Sequence, residues 1–124
     1  RPGGQSQFSA LLELERPGGR FDGLLDWMRT HLSEPLTVDR LAEVACMSPR
    51  NFTRAFTAEM GVSPARAVER LRLEAARAQV EQSHRPIDAI ASEAGFGDPE
   101  RMRRAFVRAF GQPPQALRRI ARLA

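Results

Sequence analysis

The feature that most constrains this chain is that it carries one pattern twice. In residues 41 to 64, LAEVACMSPRNFTRAFTAEMGVSP, the apolar residues Leu41, Ala42 and Ala45 recur at helical spacing before a turn, and Ser48 with Pro49 then opens a helix carrying Phe52, Ala55, Phe56 and Met60. In residues 87 to 119 the same order returns. Ile87, Ile90, Ala91 and Ala94 lead to Gly95, which tolerates positive φ, and to Phe96, placed to plug the angle between two helices. Asp98 caps the next helix and Pro99 sits in its first turn, where no amide donor is needed. Met102, Ala105, Phe106, Ala109 and Phe110 continue the apolar stripe until Gly111 and the Pro113-Pro114 pair end it. Leu41 aligns with Ile90 at an offset of 49, whereas Phe52 aligns with Met102, Arg54 with Arg104, Phe56 with Phe106 and Gly61 with Gly111 at an offset of 50. The second turn is therefore expected to be one residue longer. Cys46 stands where Gly95 stands, so the two turns need not share a backbone conformation. A lone helical hairpin is common; the same hairpin twice in one chain is far more specific, and it points to two helix-turn-helix units.

The rest of the chain reads as helices that support these units. Ser63-Pro64 opens a linker helix expected over about 63–82, with Val68, Leu71, Ala75, Ala78 and Val80 facing inward and Arg66, Arg70, Arg77 and Glu81 facing out. A first helix is expected over about 22–32, burying Leu24, Leu25, Trp27, Met28 and Leu32, with Trp27 as core. Pro35 and Thr37 open the support helix of the first repeat. A last helix over about 115–122 is expected to bury Leu117 and Ile120 and to expose Arg118 and Arg119. The fold class is thus all-α: about seven helices in two helix-turn-helix subdomains, one over about 37–61 and the other over about 86–111, joined by a long linker helix. This domain occupies residues 21–124. Residues 1–20, bracketed by two Pro-Gly-Gly runs, read as a tether whose Phe8, Leu11, Leu12 and Leu14 could pack on the domain or on a partner chain. The chain begins with Arg rather than Met, so a preceding domain is expected.

Composition narrows the function. Of 124 residues 42% are hydrophobic and 27% charged, and no apolar run approaches membrane-spanning length, so no membrane partner is expected. All 19 basic residues are Arg. From residue 62 onward 12 Arg face 7 acidic residues, and before it 7 face 8, so the positive charge gathers in the half that holds the second repeat. Such a surface suits nucleic acid, and also acidic proteins or lipid headgroups. The single cysteine, Cys46, cannot form an internal disulfide and is expected as a small buried residue in a reducing cytoplasm. His31 and His84 lie far apart, without neighbours at ligand spacing, so no metal is expected. Phosphate-binding glycines, a nucleophile elbow and paired catalytic residues are all missing from the sequence, which argues against an enzyme.

These residues give the chain a family resemblance. From about residue 21 to 121 it resembles the DNA-binding domain of the AraC/XylS family of bacterial transcription regulators. The family's second motif corresponds here to Ala94-Gly95-Phe96, Met102, Arg104, Phe106, Gly111, Pro114 and Arg118, and Arg72-Leu73 matches a pair common in its linker helix. Arg101 and Arg103 depart from the pattern, replacing uncharged residues beside Met102. The string PGGQSQF resembles the end of the sensor domain in the subgroup whose N-terminal half is like the PfpI or class-I glutamine-amidotransferase fold.

The resemblance implies sequence-specific binding of double-stranded DNA to regulate transcription, with family habit favouring activation through RNA polymerase. It implies no cofactor for this part of the protein. The fragment is expected to be monomeric, with dimerisation left to the N-terminal half. Reading positions carried over residue by residue are Arg50, Thr53, Arg54 and Thr57 in the first recognition helix, and Glu100, Arg103, Arg104 and Arg108 in the second. There Arg can donate twice to guanine, and Glu100 can accept from cytosine N4. Asn51, Arg108 and Arg118 suit phosphates. The alternative is a protein-interaction module built on a degenerate helix-turn-helix, which would enrich no DNA sequence; an enzymatic part upstream is a third possibility.

Overall fold

The computed structural model describes residues 19–123, and the apolar segment proposed for the tether lies outside them. Seven helices follow one another among the described residues: α1 (Asp22–Arg29), α2 (Val38–Val44), α3 (Pro49–Met60), α4 (Pro64–Gln82), α5 (Ile87–Glu93), α6 (Pro99–Phe110) and α7 (Pro114–Leu123). Their starts are written in the sequence. The side chains of Thr37, Ser48, Ser63 and Asp98 accept from the backbone N–H three residues on, capping α2, α3, α4 and α6, and Pro occupies the first turn of α3, α4 and α6. The 12-residue helices α3 and α6 end alike, on Gly61 and Gly111 at φ 76° and 77°, each donating to a carbonyl four residues back.

The two turns open on the same helix closure and then differ by one residue. Met47 N–H donates to the Ala42 carbonyl and Phe96 N–H to the Ala91 carbonyl, both at 2.9 Å, which is the closure of a helix by a left-handed residue. That residue is Cys46 at φ 59° in the first copy and Gly95 at φ 92° in the second. Cys46 is exposed rather than buried, unlike the equivalent Gly95, whose position is closed in by the Leu32 carbonyl. The extra residue of the second turn is Gly97, also at positive φ, inserted just before the capping Asp98.

Two apolar cores result, one per lobe. In the first, Phe21 meets Phe52 edge-on at 5.9 Å and Phe56 at 5.2 Å, above Leu25, Met28 and Leu41. In the second, Met102 and Phe106 are fully buried with Ile90 and Ala91, and Phe110 lies edge-on to Phe106 at 5.2 Å. The linker helix serves both. Ala67, Val68 and Leu71 enter the first core while Leu73, Ala76 and Val80 enter the second. With about 100° of rotation per residue, Leu71 and Leu73 lie on nearly opposite sides of α4. A single inward face was therefore the wrong expectation: Leu73 and Ala76 are buried, and Ala75 and Ala78 only partly so. Arg77 on this helix covers the Phe110 ring at 4.5 Å and pairs with Glu81 at 2.9 Å.

Three further expectations change. The first helix stops at Arg29, and Leu32 is buried from the following loop rather than from the helix. Trp27 is only partly buried; it stacks on His31 at 4.1 Å, and the Arg40 guanidinium lies 5.2 Å from its ring. In α7 Leu117 is buried but Ile120 is 50% exposed, because the half-buried Arg118 takes the position against α4.

Candidate nucleic-acid interface

Burial of Phe52, Phe56 and Met60 on one side of α3 turns Arg50, Asn51, Thr53, Arg54 and Thr57 outward, and all five are exposed. Burial of Met102, Ala105 and Phe106 does the same for Glu100, Arg103, Arg104 and Arg108 on α6. Val107 joins that face, with 39% of its surface open, and offers an apolar contact among the charges. Equivalent positions of the repeat therefore hold equivalent orientations: Arg54 and Arg104 both project from the middle of a capped, glycine-terminated helix.

The two faces differ in charge chemistry. On α3, Arg54 donates to the Asn51 side-chain oxygen at 2.9 Å, a neutral partner that leaves the full positive charge facing solvent. On α6, the Glu100 carboxylate accepts from Arg103 Nε and NH2 at 3.0 and 2.8 Å and from Arg104 NH1 at 3.4 Å. The Arg103 hydrogen bond holds the Glu100 carboxyl below the usual range, and Glu100 in turn raises Arg103. Glu100 is thus an acceptor at neutral pH, able to receive an amino group such as cytosine N4. Because the cluster is exposed and screened by water and salt, its pairs exchange readily for other partners.

Two of the expected phosphate contacts are placed differently. Arg108 reaches across to Glu69 on the linker helix at 3.1 Å while remaining largely exposed. Arg118 is turned inward: its Nε donates to the Val80 carbonyl at 3.0 Å, closing one of the free carbonyls near the end of α4, and its NH2 is buried without a hydrogen-bond partner. Structural anchoring of α7 is the role this geometry gives it. Among the described residues no group of three or more His, Cys, Asp or Glu side chains gathers as a metal site, and no helix is long and apolar enough to cross a membrane.

Comparison with known proteins agrees with this architecture. A family model described as a helix-turn-helix domain matches residues 41–120. The chain belongs to the AraC-type helix-turn-helix family. The transcriptional regulator Rv1931c of Mycobacterium tuberculosis is 50% identical over 82 residues, covering 66% of this chain and 32% of that protein. The transcriptional activator RhaS of an Enterobacter species is 32% identical over 111 residues, covering 89% of this chain and 40% of that protein. The chain thus spans less than half the length of these curated relatives. Among solved structures, the DNA-binding domain of AdpA, crystallised with a target DNA, superposes with a TM-score of 0.79 at 32% identity, covering 84% of this chain and 94% of that one.

Within this AraC-type domain, sequence reasoning missed one residue at the junction of the lobes. Arg72 matched a familiar pair, but its partners are not on its own helix. Its NH2 donates to the carbonyls of Leu32 at 3.3 Å and Glu34 at 2.9 Å, in the loop after α1. Burial, and then the nearby Arg101, hold its guanidinium below the ordinary arginine range. No sequence signal pointed to this: Glu69 stands three residues before Arg72, at helical spacing for a local pair, yet it pairs with Arg108, and Glu74 pairs with Arg29.

Proposed function

We propose that this domain binds double-stranded DNA sequence-specifically, using α3 and α6 as two readers in one chain, and thereby regulates bacterial transcription as an activator that contacts RNA polymerase. One observation carries this reading: the two recognition helices expose arginines at equivalent positions of an internal repeat, above cores that hold both helices in the same way. A surface arginine in isolation is usually a solvated side chain; the same arginine at the same position of two docked helices is a repeated function. Arg50, Thr53, Arg54 and Thr57 read one segment, and Glu100, Arg103, Arg104 and Arg108 read the other. Asn51 and Arg108 also reach phosphates, which fix register without reading sequence. The co-crystallised AdpA domain and the name of the RhaS activator support DNA as partner and activation as outcome. Residues 1–20 act as the tether to an N-terminal sensory half of the PfpI-like type.

Selection from a pool of random duplexes tests the reading. Enrichment of a defined site is expected, with Arg54→Ala and Arg104→Ala each costing about 1 to 3 kcal/mol and relaxing preference at different base pairs. A selection that enriches no sequence would instead favour a protein-interaction module.

A further inference from the structure

Arg72 lies in the middle of the linker helix, and its guanidinium joins three parts of the molecule. Its NH2 holds the Leu32 and Glu34 carbonyls, which belong to a loop pinned to the first core by Leu32 and Leu36. The Leu32 carbonyl in turn presses on the second lobe. A Cβ placed on Gly95 would lie 1.9 Å from Leu32 O and 2.5 Å from Arg72 Nε, so at this point the loop, the arginine and the second turn meet with no room for a side chain. Gly95 is itself fixed to the second core by its neighbours Ala94 and Phe96, both buried there.

The arrangement is poorly suited to adding stability by charge. Arg72 is partly buried, its Nε has no hydrogen-bond partner, and a like charge, Arg101, sits nearby. Its two hydrogen bonds go to backbone carbonyls alone, and the planar guanidinium fixes their directions. What it supplies is geometry. Two lobes that share only one helix can still rotate about that helix's axis or follow its bending, whereas a second attachment off the axis stops both motions.

The geometry points to Arg72 as the positioning residue that sets the distance and angle between the two recognition helices, and so determines which spacing of the two DNA segments the domain accepts. This rests on the tandem reading proposed above. Arg72 itself is not a base reader: its NH2 is held by the loop and its Nε is buried, and its effect on DNA passes through the placement of α3 and α6.

Spacing is therefore the quantity to measure. Duplexes carrying the two selected segments at their selected spacing, and with one base pair added or removed, are titrated with the wild-type chain, with Arg72→Met and with Arg72→Lys, and urea unfolding is followed for each. Arg72→Met keeps the aliphatic stem and removes every donor; Arg72→Lys keeps the charge and can reach one carbonyl. The wild-type chain is expected to lose about tenfold in affinity for each altered spacing, Arg72→Met to vary by no more than about threefold across the series, and Arg72→Lys to fall between them. A merely structural role would lower affinity by the same factor at every spacing, and a mutant profile parallel to the wild-type one overturns the inference. Should Arg72→Met fail to fold, the Arg72→Lys profile decides by the same criterion. If the wild-type chain itself ignores spacing, the tandem reading fails, and the role of Arg72 falls with it; a spacing-dependent wild type with parallel mutants refutes the role of Arg72 alone.

Discussion

Replacing Gly95 by Ala isolates the contact between the lobes, and its cost can be worked from the structure. The residue has φ +92°, and the added methyl carbon would stand 1.9 Å from the Leu32 carbonyl oxygen and 3.0 Å from its carbon. A left-handed conformation costs an ordinary residue about 1 to 2 kcal/mol. Overpacking adds about 1 to 3 kcal/mol, toward the upper end here because the nearest obstructing atom, the Leu32 carbonyl oxygen, is backbone and cannot rotate away. The alanine gains about 0.4 to 1 kcal/mol through a less disordered unfolded chain, leaving a net destabilisation of about 2 to 4 kcal/mol. Gly97 is the internal control. It has nearly the same φ, +91°, but nothing lies within 4 Å of a Cβ built there, so Gly97→Ala carries only the conformational cost, about 1 kcal/mol or less after the same correction. Urea unfolding followed by circular dichroism reads both, with Gly95→Ala lowering the midpoint by roughly 1 to 2 M. Equal losses for the two substitutions would refute the reasoning, since they would show that the first lobe's loop does not press on the second lobe's turn.

Two other substitutions test neighbouring parts of the account. Cys46→Gly relieves the only left-handed non-glycine position among the described residues, and stabilisation by about 0.5 to 1 kcal/mol is expected in the same urea experiment; loss of stability would mean that the thiol contributes packing the structure does not show. Arg118→Ala removes the donor to the Val80 carbonyl and should destabilise by about 1 to 3 kcal/mol, with DNA affinity and its salt dependence unchanged in the folded protein; a reduced salt slope at unchanged stability would return Arg118 to the phosphate contacts.

Local patterns carried most of the fold. Ser48, Ser63 and Asp98, each followed by Pro, mark helix starts by a side-chain oxygen and a missing donor, and the structure puts helices there. The offset of 50 between Gly61 and Gly111 became a matched pair of left-handed helix ends. What escaped were features made by two elements at once. One-face periodicity cannot describe α4, because Leu71 and Leu73 serve different cores from opposite sides of it. Gly95 was legible as a turn residue but not as a point of close approach, since the Leu32 carbonyl comes from a loop distant in sequence. Arg118 looked like a surface cation for the same reason: the carbonyl that holds it belongs to another helix. For the candidate site, the outward phase of α3 and α6 followed from the apolar stripe, while the Glu100–Arg103–Arg104 cluster and the reach of Arg108 to Glu69 required the structure.

The central claim is that one chain reads DNA twice. Two readers joined by a 19-residue helix, about 28 Å long at 1.5 Å per residue, can engage major grooves about one turn apart on one side of the duplex, and such a site needs no symmetry. The direct test is footprinting of the selected site, followed by insertion of about 5 base pairs between the two protected segments, which moves one of them to the opposite face of the DNA. The account predicts protection of an asymmetric site of about two turns by a monomer, and loss of one protected segment upon insertion. Unchanged protection of both segments after the insertion, or binding only to inverted repeats, would contradict it.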